Sequence, residues 1–358
     1  MRRAIVHIGT PRTGTTSLQA FLTTHRDQFK RAGLLYPDLT PGSASRPHLS
    51  HQYLGETFDG RRPRAERVEL LTALAAALAE AEPDTLLLSY EGLCLLPAWR
   101  SVPKVLADLF ARHGFQMEIL LTVKAQALYA QSQYTWRCQF LRERHLFGEA
   151  LPADLRHRRY DYGGILRQWA RAAAQHVHVV PVHDRRSDAP LIERILVQLG
   201  LHDLVSGMTP ADFARRDNPS LGPVAIEVAR RLRSRGIVVA DRWRARAITD
   251  FIADEARTRG LDAVAFHALD DATLAQIEQK FGAANDAFAQ RVWGGNWSRR
   301  VAPTPSAPIN ELGPGPTDPI VARHLEEIEM VTRERFGIGD RATLGSWLRG
   351  LLADRAPR

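Results

Sequence analysis

Cysteine is nearly absent from the chain. Cys94 and Cys138 are the two in 358 residues, and neither has the spacing of a metal ligand. That composition argues against a disulfide framework and against a structural zinc site. Long apolar runs are also missing: none approaches the roughly 18 residues of a membrane span. The opening stretch MRRAIVHIGTPR has two arginines and then an apolar run only as long as a strand, too short for a secretory leader. A reduced, cytoplasmic protein is the expectation. No internal repeat is visible, nor any dense Lys/Arg run with interleaved aromatics, so nucleic acid is not an expected partner. What remains is an ordinary globular composition, 44% hydrophobic and 25% charged, with a formal charge of +8 and 13 His besides. The positive balance favours anionic partners such as nucleotides or acidic glycans.

Near-continuous apolar runs at 4–8, 85–89, 117–123 and 176–182 read as buried parallel strands. Segments of helical periodicity at 15–32, 65–81, 101–113 and 128–140 lie between or beside them, and Gly33 follows the first like a C-cap. Strands alternating with helices predict a P-loop-type three-layer α/β/α fold with a central parallel sheet. The half beyond residue 185 reads as helical, at 192–199, 223–235, 245–259 and 271–292. A Pro/Gly-rich stretch at 302–317 and two short helices at 318–335 and 341–354 complete the chain. The expected organisation is one α/β domain over 1–300, a linker over 301–317 and a helical tail over 318–358. Residues 38–66, rich in Pro, Gly, His and Arg, read as one long irregular connection of the kind that carries function.

The first strand runs into GTPRTGTTS, residues Gly9, Thr10, Pro11, Arg12, Thr13, Gly14, Thr15, Thr16 and Ser17. Its glycines have the spacing of a phosphate loop, which lets successive backbone N–H groups and the following helix N-terminus face an anion. Thr13, Thr15, Thr16 and Ser17 offer hydroxyl donors. Thr15, however, stands where a nucleoside-triphosphate hydrolase places its lysine. Arg12 supplies the strong cation from within the loop instead. Downstream, the third long strand ends in LLTVKAQALYAQSQYTW, which puts Lys124 at the strand end and Ser132 eight residues on, in a helix. A cation at the carboxyl edge of a parallel sheet faces the ligand crevice of such folds.

The loop and the Lys124/Ser132 pair together resemble the sulfotransferases, and in particular a bacterial group similar to the sulfotransferase domain of heparan sulfate N-deacetylase/N-sulfotransferases. The resemblance covers about residues 1–300. It implies 3′-phosphoadenosine 5′-phosphosulfate (PAPS) as co-substrate and the 3′,5′-bisphosphate (PAP) as product. Arg12 and the loop would hold the phosphosulfate, and Lys124 and Ser132 the 3′-phosphate. With those cations supplied by the protein, no metal would be required. Lys124 departs from the family's arginine, keeping the charge but losing a two-pronged contact. The segment WGGNWSRR offers Arg299 as a further 3′-phosphate ligand, although it lacks the family's Gly-Lys pattern. RRDNPSLGP at 215–223 is also like a segment of the bacterial group, with no chemistry to assign.

Sulfonyl transfer needs a base near the acceptor. The resemblance assigns that role to Glu91, just past the strand LLLS. His48 and His51, three apart in the long connection, are the rival bases, since an unperturbed histidine titrates near neutrality. Two other readings stay open from sequence. One is a kinase or nucleotidase using magnesium-ATP, with Thr16 on the metal and Glu91 as acidic partner. The other is a protein that only binds an anionic ligand. The acceptor (a glycan, lipid-linked sugar, small metabolite or peptide tyrosine) and the oligomeric state are not legible. Trp136 and Trp169 fall on amphipathic helices and read as core rather than as adenine platforms.

Overall fold

The computed structural model describes residues 2–213, 220–305, 307–313 and 318–339. The expected helix at 341–354 and most of RRDNPSLGP lie outside them. Five strands form one all-parallel sheet: β1 (Arg2–Gly9), β2 (Leu34–Leu35), β3 (Thr85–Ser89), β4 (Phe115–Val123) and β5 (Val177–Pro181), in the order β2-β3-β1-β4-β5. The expected α/β/α layering is present, and the sheet gains a two-residue edge strand, β2, too short to leave a pattern.

The helices in chain order begin with α1 (Thr15–Thr24), α2 (Arg26–Arg31), α3 (Gln52–Asp59), α4 (Arg64–Ala81) and α5 (Val102–Arg112). Then come α6 (Gln126–Gln139), α7 (Phe147–Asp154), α8 (Tyr162–Ala172), α9 (Leu191–Gln198) and α10 (Pro210–Phe213). The last four are α11 (Pro223–Ser234), α12 (Arg242–Thr258), α13 (Asp271–Trp293) and α14 (Pro319–Phe336). Two expectations are corrected here. The first helix breaks at His25, so that α1 and α2 replace one helix, and Gly33 (φ 84°) follows the second. The long connection also contains α3, whose Leu54 and Phe58 are buried.

Contacts group the chain into two compact units of interleaved segments. The first comprises Met1–Gln126, His157–Asp217 and Gln276–Thr304, and holds the sheet. Ile5, Leu87, Leu120 and Val180 point to one face and pack against Leu18, Phe21 and Leu22 of α1 and Ile192, Ile195 and Leu196 of α9. Strand alternation sends their neighbours Val6, Leu88, Ile119 and Val179 to the other face, where α5 and α8 lie against β4. In α4 the apolar residues Leu70, Leu74 and Leu78 recur every four positions and form one buried seam.

The second unit comprises Ala127–Arg156, Asn218–Ala275 and Pro305–Arg358. There α11, α12 and α14 pack together, with Leu325 and Ile328 of α14 fully buried. Asp262 caps α11 from a distance, accepting from the N–H groups of Val224 (2.7 Å) and Ala225 (2.9 Å). Tyr134 stacks on Phe266 at 5.5 Å between ring centres.

Candidate functional site

The candidate site lies at the carboxyl edge of the sheet in the first unit. Strand β1 sits between β3 and β4, and the connections that follow β1 and β4 lead to opposite sides of the sheet. Crevices of this kind, at a reversal of strand order, are where open α/β sheets take ligands. Arg12 follows β1 and Lys124 follows β4, so the two cations flank the reversal.

The loop curls because three of its residues adopt left-handed backbone: Gly9 (φ 112°), Arg12 (φ 64°) and Gly14 (φ 79°). Gly14 is the N-cap of α1 and brings no side chain to the helix end. The first amides of α1, from Thr15, Thr16 and Ser17, thus head a helix that begins directly at the loop, with the partial positive charge of its dipole behind them. Thr15 is buried, while Pro11, Arg12, Thr16 and Ser17 are half-buried. Thr13 departs from its expected part as a ligand donor. Its hydroxyl turns inward and donates to the Thr10 carbonyl, with the Thr122 hydroxyl 2.6 Å away. Thr10 is likewise spent on β4, its N–H and hydroxyl both meeting the Thr122 carbonyl, at 2.9 and 3.2 Å.

Lys124 is partly buried, and its backbone carbonyl accepts from the Tyr162 hydroxyl at 2.6 Å. Burial first and the neighbouring Arg12 guanidinium second push its ammonium down to about 8. Two like charges drawn together at one sheet edge favour an anion between or beside them. Just after Lys124, Gln126 exchanges two side-chain amide bonds with Asn285, at 2.6 and 2.9 Å, which ties the start of α6 to α13. Ser132 belongs to the second unit, where its hydroxyl donates to the Leu128 carbonyl one turn back (2.8 Å).

Glu91 opens a short 3₁₀ helix, Glu91–Leu95, directly after β3. It adjoins the loop closely: a Cβ built on Gly9 would lie 2.8 Å from the Glu91 carbonyl oxygen. One carboxylate oxygen accepts from the Gln19 side-chain amide of α1 at 3.0 Å.

The two histidines differ. His51 is buried and both its ring nitrogens are engaged: Nδ1 accepts from the Ser89 N–H (2.9 Å), and Nε2 therefore carries the hydrogen and donates to the Pro37 carbonyl (2.9 Å). Burial leads the causes that push it down to about 4. With no nitrogen lone pair to spare, His51 holds the 50s segment against β3 and does not suit the role of base. His48 is half-buried, and its Nδ1 accepts from the backbone N–H of Ser50 at 3.1 Å.

Arg299 is exposed at the end of a one-turn 3₁₀ helix, Trp297–Arg299. Trp297 anchors that turn by stacking on Tyr162 (5.8 Å, 20° between planes). Ala302 donates to the His183 carbonyl (2.9 Å), so the segment runs along the end of β5. Arg300 is tied to Asp184 at 2.9 Å. Tyr162 therefore connects the Lys124 backbone to the turn that carries Arg299. Trp169 is core, as expected.

Sequence reasoning missed a buried polar row beneath the loop: His7 on β1, Ser89 on β3, Thr122 on β4 and Gln19 on α1. One signal was available. In each of these strands a short apolar run gives way to one polar side chain: His7 after AIV, Ser89 after LLL and Thr122 after ILL.

Among the described residues no group of three or more His, Cys, Asp or Glu is placed to hold a metal ion, and no helix is long and apolar enough to cross a membrane. Cys94 and Cys138 are free and buried. Comparison of the chain with protein-family models, with curated proteins and with solved structures finds no match.

Proposed function

We propose that the protein is a sulfotransferase that moves a sulfonyl group from PAPS to a hydroxyl or amine. The observation that carries this reading is the convergence at one sheet edge of a glycine loop, two mutually repelling cations, Arg12 and Lys124, and one carboxylate, Glu91. The cations and the loop amides fit a phosphate-bearing ligand, whose charge on departure they would stabilise. Arg12 stays protonated throughout and acts electrostatically. Transfer forms a bond from the acceptor's oxygen or nitrogen to sulfur and breaks the sulfur–oxygen bond to the 5′-phosphate, whose oxygen keeps the electron pair, while Glu91 receives the acceptor's proton. Gln19, donating to one oxygen of Glu91, holds the carboxylate for that task.

A calorimetric titration tests the reading by comparing PAP with ATP, each with and without magnesium. Expected is metal-independent binding of PAP in preference to ATP, weakened about 10–100-fold in Arg12→Ala and in Lys124→Ala, as loss of a charge-assisted contact implies. A preference for magnesium-ATP would overturn it. Glu91→Gln should bind PAP like the wild type and lose transfer to any acceptor that supports turnover. Undiminished turnover would pass the role of base to His48.

A further inference from the structure

The buried row under the loop has a direction. Gln19 Nε2 donates to the Glu91 carboxylate (3.0 Å) and to the Ser89 hydroxyl (3.1 Å). Ser89 Oγ lies 2.9 Å from His7 Nδ1, and His7 Nε2 lies 3.4 Å from Thr122 Oγ1. Thr122 in turn meets both the Gly9 carbonyl (3.1 Å) and Thr13 Oγ1 (2.6 Å), and Thr13 donates to the Thr10 carbonyl. All six side chains belong to the first unit, and all but Glu91 are buried.

His7 is fully buried with no carboxylate among its hydrogen-bond partners, so its imidazole is neutral and has one N–H; burial pushes it down to about 3. The parallel register sets His7 beside Ser89 on one side and Leu120 on the other, which is why one imidazole reaches two strands. Suppose the hydrogen sat on Nδ1. Ser89 would then accept from both Gln19 and His7, leaving its own hydrogen without a partner in the row. The Thr122 hydroxyl would have to donate to Nε2 and give up the Gly9 carbonyl. With the hydrogen on Nε2 every donor in the row finds an acceptor: Ser89 donates to Nδ1, His7 to Thr122, Thr122 to Gly9 or Thr13, and Thr13 to Thr10. Buried polar groups settle into such fully satisfied arrangements because each orphan is costly.

We infer that His7, as the Nε2–H tautomer, is a positioning residue that orients the Gln19–Glu91 pair at one end of the row and the Thr13–Thr10 turn of the loop at the other. Accepting from Ser89 leaves the Ser89 oxygen free to receive the Gln19 amide, which turns its remaining N–H to Glu91. Donating to Thr122 fixes the hydroxyl on which the loop's floor rests. The functional meaning of this inference rests on the reading of Glu91 as the base; the hydrogen-bond direction does not.

The test uses the full chain labelled with ¹⁵N-histidine and ¹⁵N-glutamine. The ring-nitrogen shifts of His7 should report the Nε2–H tautomer, unchanged from mildly acidic to mildly basic pH. The Gln19 side-chain amide should exchange slowly in the wild type and in His7→Asn, whose amide oxygen can replace Nδ1 as acceptor. In His7→Leu that exchange should quicken about tenfold or more, as expected when a buried bond is left unmade. An Nδ1–H or doubly protonated His7 in the wild type would overturn the inference, whether or not the variants fold. Equal protection of Gln19 in His7→Leu would also overturn it. Failure of the wild type to bind PAP would instead overturn the sulfotransferase reading and leave these nitrogen signals as they are.

Discussion

Gly9 brings the end of β1 into contact with the backbone of Glu91, and no other residue fits there. A methyl group would meet the Glu91 carbonyl oxygen at 2.8 Å and its Cα at 2.9 Å, with φ at 112° besides. Gly9→Ala should therefore lower stability by ~3 kcal/mol, combining backbone strain with overlap against main chain that cannot swing aside. Urea unfolding of the variant checks this, with Gly148→Ala as control: Gly148 lies within α7, has open space around it, and should gain a few tenths of a kcal/mol or more. Much of the residue-scale picture was open to reading beforehand. The glycine spacing marks the turn after β1 and puts Arg12 within it, and Glu91 follows a strand whose bounds, 85–89, are evident from Thr85 and three leucines before the polar Ser89. What stayed hidden depends on neighbours that are far apart in sequence. Nothing in PHLSHQ distinguishes the half-buried His48 from the fully engaged His51, because the partner that settles it is the Ser89 N–H. The inward turn of the Thr13 hydroxyl likewise depends on Thr122, 109 residues away.

Elements whose environment is uniform along their length were the legible ones. Strands β1, β3 and β4 are buried on both faces over 4–8, 85–89 and 117–123, and over those spans their sequences are mostly apolar. α4 keeps a four-residue leucine spacing from Leu70 to Leu78. The hidden elements have a mixed environment: α3 lies in a stretch dominated by Pro, Gly, His and Arg, and buries only Leu54, Gly55, Thr57 and Phe58. α11 shows how an element can depend on one distant residue. Its N-cap, Gly222, offers no side chain, and Asp262 fills the role from forty residues on, accepting from Val224 and Ala225. Gly222 is small for that reason, since a Cβ there would lie 2.3 Å from the Asp262 carboxyl carbon. Asp262→Ala should cost ~1–2 kcal/mol by leaving two helix-start amides unmet. Asp262→Asn should recover about half of it. Denaturant midpoints for both variants measure the difference.

The sheet's opposite, amino edge is held by an ionic cluster that reaches across three strands. Arg3 of β1 donates twice to Glu118 of β4, at 2.7 and 2.8 Å, and His178 of β5 donates to the same carboxylate at 2.8 Å. Burial alone would raise the Glu118 carboxyl, but the Arg3 and His178 hydrogen bonds outweigh it and bring it down to about 2. A carboxyl held below its unfolded value stabilises the fold above that value and loses the contribution as pH falls through about 2. Wild-type stability should therefore decline between about pH 4.5 and 2 by ~2 kcal/mol more than that of Glu118→Gln, read from urea unfolding at each pH. At this scale the interleaving of the two units has a consequence for synthesis. The loop at Gly9–Ser17 is made well before Gln276–Thr304, the segment that closes its unit, where Trp297 stacks on Tyr162 and so braces the Lys124 backbone. At a translation rate of about 5–20 residues per second, the nascent loop waits roughly 15–60 s for that brace. Through that interval the growing chain exposes the Arg12 loop while the Lys124 backbone has no brace, and this sheet edge is complete only once Trp297 has emerged.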